Sequence, residues 1–200
     1  MSVERGDVGR RPAHGAGSLF MVVRDAISIA RSYGNGEVSP RGVGEVLLHD
    51  GYAVLAMSRV RGAARALHVV GVNRALRLAQ MALYGIEIGK DVELGEGVIF
   101  VHTLGTVVGG NARIGDRVRI MGNVTIGTAK DNGYPRIGND VTIGAGARIL
   151  GPVVVGDGAV IGANAVVLTD VPAGALAVGV PAIVQLRGAK TLPESRNGAG

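Results

Sequence analysis

Ile137-Gly-Asn-Asp-Val-Thr-Ile143-Gly-Ala-Gly-Ala-Arg-Ile149 decides the fold. An aliphatic residue returns at every sixth position, and two residues before each return stands a small or β-branched residue, Val141 and then Ala147. Outward from this stretch the ladder continues through Ile126, Ile120, Ile114, Val108, Phe100, Leu94 and Ile88 on one side, and through Val155, Ile161 and Val167 on the other. The second register holds Val92, Val98, Ala112, Val118, Val124, Val153, Ala159 and Ala165. A sustained period is read before local propensity, because it defines the whole architecture. Six residues are too few for a helical hairpin but enough for one short strand and a corner. Glycine after the ladder residue lets the backbone turn or a neighbour come close. No single unit buries its apolar face alone, whereas stacked units bury one continuous column. The expected fold is mainly β, a parallel β-helix with an α-helical cap ahead of it. A sandwich would show turn signals about every 8–12 residues.

Two breaks interrupt the period. From Phe100 to Val108 the step is eight, and the insertion holds His102. From Ile126 to Ile137 the step is eleven, through an excursion of turn residues between Thr128 and Arg136. Insertions in repeat arrays become loops, often on the binding face.

The rest of the chain supports this division. Twenty of the 34 glycines fall between Gly85 and Gly179, which matches a solenoid rather than a flexible low-complexity chain. Residues 1–17 are rich in Gly and Arg without periodicity and are expected to form a disordered tail. Ser18 reads as an N-cap, and Leu19, Val22, Val23, Ala26, Ile27 and Ala30 follow helical spacing up to Gly34-Asn-Gly36. Further helices are expected from about Val43 to Arg59 and from about Ala63 to Leu83. The helical region thus spans 18–85, the β-helix 86–187 and a polar tail 188–200. Val171-Pro172 and Val178-Gly-Val-Pro181 are expected to end the strands, since proline cannot continue a ladder.

Composition excludes several classes. The absence of cysteine removes disulfides, thiolate metal sites and cysteine nucleophiles. It also fits a cytoplasmic protein. The net charge is +5, but the arginines are scattered, so a mildly basic surface is expected rather than nucleic-acid binding. No apolar run reaches the roughly 18 residues of a membrane span, and no signal peptide is expected, because the first seventeen residues carry charge and glycine without an apolar stretch.

Of four histidines, His14 lies in the tail and His49 and His68 in expected helices. His102 alone falls in the solenoid, at the first break. One histidine is short of the about three that a zinc enzyme wants, so no metal is expected. A β-helix coil has about eighteen residues, so a carboxylate fifteen earlier, Glu87, is placed to accept a ring N–H of His102 on an adjacent coil. Such a partner would set the tautomer and stabilise the imidazolium.

Several segments carry a resemblance: Gly85-Ile-Glu-Ile-Gly89, Phe100-Val-His102 with Gly105-Thr-Val-Val-Gly109, Asn123-Val-Thr-Ile-Gly127, Tyr134-Pro-Arg-Ile137, Ile143 to Gly151, and Val178-Gly-Val-Pro-Ala182. Together they resemble the serine O-acetyltransferases, of the left-handed β-helix hexapeptide acyltransferases. A weaker likeness reaches into the helices through Glu45 to Tyr52 and Arg59. The resemblance implies a left-handed coil and acetyl-CoA as acetyl donor to an amino-acid hydroxyl. It implies His102 as general base, Glu87 as its orienting carboxylate, and no acyl-enzyme. It places CoA along the outside of the solenoid at Thr128, Ala145 and Ala163, with Arg148, Arg187 and Lys190 as phosphate candidates. It further implies a homotrimer, or a dimer of trimers, with sites between subunits. Val101, Tyr134 and Arg59 fall at acceptor-binding positions.

The departures concern the acceptor. Val101 stands where the family has aspartate, and Asn132-Gly-Tyr-Pro135 where it has Asp-Arg-His-Pro. Gly89 replaces a histidine and Gly110 a glutamate. An acidic residue of the family's helical loop falls near Ser39-Pro40. Groups that would grip a zwitterion are missing, so a sugar, another metabolite hydroxyl or a less charged amino-acid derivative rivals L-serine as acceptor. A catalytically silent β-helix scaffold is the remaining alternative.

Overall fold

The computed structural model describes residues 17–130 and 132–186. Residues 1–16 and the C-terminal tail lie outside the described residues, as do Arg187 and Lys190. Gly17, expected in the first tail, already belongs to a helix, so Ser18 stands inside that helix rather than capping it. The chain enters as four helices, α1 (Gly17–Tyr33), α2 (Pro40–Leu47), α3 (Asp50–Ala66) and α4 (Val72–Tyr84).

Two expected helices have different bounds. The segment read as running from Val43 to Arg59 begins earlier and is broken. Ser39 caps α2 by accepting from the Gly42 N–H at 3.0 Å, with Pro40 in the first turn. His49 then takes an extended conformation and caps α3, its Nδ1 accepting from the Gly51 N–H at 3.2 Å. The helix read as starting at Ala63 is the end of α3 followed by a turn. There His68 and Gly71 take positive φ, 54° and 86°, before α4 begins. Both histidines therefore serve helix ends rather than helix interiors. Gly85 ends α4 in the left-handed region at φ 60°.

The β-helix follows in coils of three strands. The first holds β1 (Glu87–Ile88), β2 (Glu93–Leu94) and β3 (Ile99–Phe100). The second holds β4 (Val107–Val108), β5 (Arg113–Ile114) and β6 (Arg119–Ile120). The third holds β7 (Thr125–Gly127), β8 (Arg136–Ile137) and β9 (Thr142–Ile143). The fourth holds β10 (Arg148–Leu150), β11 (Val154–Val155) and β12 (Val160–Ile161). A fifth turn has β13 (Val166–Val167), a single bridge at Val171 and β14 (Leu176–Val178). Three parallel sheets result. The first stacks β1-β4-β7-β10-β13, the second β2-β5-β8-β11 and the third β3-β6-β9-β12-β14. The strands do not end at Pro181: the chain reverses and returns as β15 (Ile183–Gln185), antiparallel to β14. The proline sits in the reversal, where no ladder N–H is needed.

Every ladder position from Ile88 to Val167 is buried, and so is the second register apart from the partly buried Val92. Each such Ile or Val contributes about 1.5–3 kcal/mol relative to exposure. At the corner between the second and third sheets the glycines permit close stacking. A Cβ on Gly115 would stand 2.6 Å from the Gly138 carbonyl oxygen. Side chains stitch that corner: the Glu96 N–H donates to Asp116 at 2.7 Å, Asp116 N–H to Asn139 at 2.9 Å, and Asn139 N–H to Asp157 at 2.7 Å.

Two buried arginines dock α3 on the first coil. Arg59 donates through Nε to Asp25 Oδ2 at 2.8 Å, and to the Leu94 and Gly95 carbonyls at 2.6 Å each. Asp25 also accepts from the Gly97 N–H at 2.9 Å, which ties α1 to the same corner. Arg61 donates to Asn73, Gln80 and the Ile88 carbonyl. Burial, then the charges of Arg77 and Arg65, lowers the Arg61 pKa from its ordinary value. At the start of α3 a Cβ on Gly51 would overlap the Phe100 carbonyl oxygen. The helix therefore abuts the strand that leads into the first insertion.

Candidate active site

The first insertion is a held loop. Val101 N–H donates to the Ile120 carbonyl at 2.9 Å, and Gly105 N–H to the Gly85 carbonyl at 2.9 Å. The Leu104 carbonyl accepts from Asn123 N–H at 3.0 Å, and the Thr106 carbonyl from Glu87 N–H at 3.0 Å. Thr103 and Thr106 are buried beneath the loop. The period did not mark these threonines; their place inside the insertion was their signal. His102 is exposed. Among the described residues its ring has no hydrogen-bond partner, so both nitrogens are available to solvent or substrate.

His102 heads a column on the edge between the third and first sheets. Directly beneath it a Cβ on Gly122 would lie 3.1 Å from His102 Cβ. The next coils place the exposed residues Ala145 and Ala163 at the same corner, and the Ala145 carbonyl accepts from Asn164 N–H at 2.8 Å. Among the described residues the N–H groups of Gly122, Ala145 and Ala163 have no acceptor. An edge of small residues with unpaired donors is suited to lie against the amides and carbonyls of a ligand.

The other candidates separate into distinct places. Glu87 opens β1 on the same side of the first sheet. It does not hydrogen-bond to His102 within the chain; its carboxylate lies 3.6 Å from Arg77 of α4. The insertion lengthens the first coil, so Glu87 stacks on Val107, twenty residues on, rather than eighteen. Thr128 and Tyr134 stand at the opposite edge of the first sheet, after β7. From Asn123 to Thr128 an extended chain spans roughly 15 Å, so one chain does not bring Tyr134 to His102. The Thr128 Oγ1 is buried without a partner among the described residues. Arg148 spends its guanidinium on the Asn123, Gly146 and Ala147 carbonyls and on the Asn123 side chain. Arg59, expected at the acceptor, is instead the buried anchor described above. A cavity of about 440 Å³ lies between α1 and α2, lined by Tyr33, Glu37, Glu45 and His49 among others.

Comparison with known proteins follows this geometry. Residues 134–169 match the model of the bacterial transferase hexapeptide (six repeats). The chain is 41% identical over 140 residues to a serine acetyltransferase of Helicobacter pylori, covering 68% of this chain and 82% of that one. The chain belongs to the serine acetyltransferase family. A Synechococcus elongatus serine acetyltransferase is 37% identical over 147 residues, 72% of this chain and 60% of that protein. Among solved structures, a serine acetyltransferase in complex with CoA superposes with a TM-score of 0.75 at 29% identity, covering 84% of this chain and 70% of that one. Soybean serine acetyltransferase complexed with serine gives 0.73 at 33% identity, with 82% and 70% covered.

As an acyltransferase of this family, the chain carries a linked pair of departures at the opposite edge. Gly110 has φ 56°, and a Cβ there would overlap the Tyr134 ring. The tyrosine fills the space that a side chain at 110 would take, so these two departures are one packing change. Gly110→Ala is expected to destabilise by about 1–3 kcal/mol, from strain and overpacking. In the Gly110→Ala/Tyr134→Ala double variant the overpacking part is relieved, so the two losses should sum to more than the double shows. Urea unfolding of the four proteins checks this; strictly additive losses would refute the coupling.

Proposed function

We propose that this chain transfers the acetyl group of acetyl-CoA to the hydroxyl of a small acceptor, with His102 as general base. The observation that carries the reading is the unpartnered, exposed His102 ring at the head of an edge of free N–H groups. In this mechanism a ring nitrogen takes the hydroxyl proton while the oxygen attacks the thioester carbonyl. The tetrahedral oxyanion is stabilised by backbone N–H groups of the edge. It collapses with cleavage of the carbon–sulfur bond, and the imidazolium returns its proton to the departing thiolate. No acyl-enzyme forms, which suits a chain without cysteine.

The two edges support a shared site. His102, Ala145 and Ala163 line one edge; Thr128, with its orphaned hydroxyl, and Tyr134 line the other. Side-by-side packing of two copies sets one chain's first edge against the next chain's second. Acetyl-CoA then lies between them, in a homotrimer. In this reading Glu87, now beside Arg77, turns to steady the imidazolium.

The acceptor is a hydroxyl compound without a zwitterion's two charges: a sugar, another metabolite hydroxyl or a less charged amino-acid derivative. Val101 and Tyr134 offer no charge, and unpaired ionic groups of a zwitterion cost about 2–5 kcal/mol each. The test follows thiol release from acetyl-CoA with L-serine, N- and C-blocked serine, homoserine and a sugar panel. Expected is a higher kcat/KM for a blocked serine or a sugar than for L-serine. L-Serine outperforming all of them would overturn the acceptor assignment, and no release with any compound would overturn the transfer.

A further inference from the structure

A second polar groove lies between α1 and the third sheet, away from His102. It encloses about 340 Å³, room for roughly ten water volumes. Ser28, Arg31 and Ser32 come from one face of α1, Arg117 and Asp140 from the corners of successive coils, and Arg119 from β6.

The charges do not cancel. Glu96 is paired with Arg24. Asp140 is held by both arms of Arg117, at 2.7 Å each, and that hydrogen bond raises the Arg117 pKa. Arg31 and Arg119 have no carboxylate among the described residues. Arg119 is instead steadied over the Tyr33 ring at 5.7 Å, a cation–π contact that orients the guanidinium without neutralising it. Asp116 also acts on Arg117, so with Arg24 four arginines stand against the three carboxylates Glu96, Asp116 and Asp140, and the groove keeps one uncompensated positive charge. The C-terminal end of α1 offsets about half a charge, so the surplus stays positive. Two planar donor forks with two serine hydroxyls match a tetrahedral dianion.

We infer that this groove binds a phosphate-type oxyanion, free or as the phosphomonoester of a larger molecule. It is separate from the transfer site and does not rest on the acceptor assignment.

The test titrates the full chain with inorganic phosphate in a non-coordinating buffer, by calorimetry and ³¹P line broadening, with saturating CoA present. Saturable binding below roughly 0.1 M, where screening becomes strong, is expected. Arg31→Gln/Arg119→Gln should weaken it at least about tenfold, the size of losing charged hydrogen bonds, while melting and basal acetyl transfer hold. Tyr33→Leu, which removes the platform, should weaken it less. Tighter binding of AMP than of phosphate assigns the site to a phosphomonoester, and equal binding assigns it to the free ion. No saturation in the presence of CoA, or unchanged affinity in the double variant, would overturn the proposal.

Discussion

Replacing His102 by alanine is expected to cut kcat by roughly 10²–10⁴, the usual contribution of a positioned general base. The loss should fall on kcat rather than on CoA affinity, because the edge donors at Gly122, Ala145 and Ala163 are backbone groups that the substitution leaves in place. Melting should hardly change, since the ring is exposed and has no internal partner. Steady-state kinetics with the best acceptor, read beside CoA calorimetry and a thermal melt, separates these quantities. A variant that turns over at the wild-type rate would remove His102 from the chemistry, whatever the acceptor.

Replacing Arg59 by alanine is expected to destabilise the protein by about 3–5 kcal/mol. Asp25, its partner, is 0% exposed and would be left as a buried carboxylate with the Gly97 N–H. The Leu94 and Gly95 carbonyls would lose their donors as well. For a domain of this size such a loss lowers Tm by roughly 6–20 °C. The double variant Arg59→Met/Asp25→Leu should recover much of it, because an apolar pair leaves no unpaired charge. Calorimetric melts check both outcomes. Wild-type melting of the single variant would show that the anchor is dispensable. A rise in acceptor KM without destabilisation would return Arg59 to the acceptor site.

Much of the solenoid was legible because its signal is repetitive. Ile143 and Ile149 need the same environment as Ile88 or Val167, so each unit restates the fold. The helical cap was less legible. The break at His49 depends on one imidazole accepting from one backbone N–H, and the turn at His68 on a left-handed residue that the apolar pattern does not mark. The return of β15 after Pro181 was likewise invisible, because the ladder predicts parallel neighbours and not a reversal.

Residue type by itself determined the six-residue period, the buried column and the singular His102 at its first interruption. These are local properties: a side chain is apolar or it is not, and a step is six or eight. The tertiary structure alone decided where each group is spent. Arg59 belongs to Asp25 and two carbonyls, Arg148 to a carbonyl cluster, and Tyr134 to the space above Gly110. It also set Thr128 and Tyr134 on the edge opposite His102, Ala145 and Ala163. Partners far apart in the chain meet through coil length and corner geometry, and a two-residue insertion shifts both.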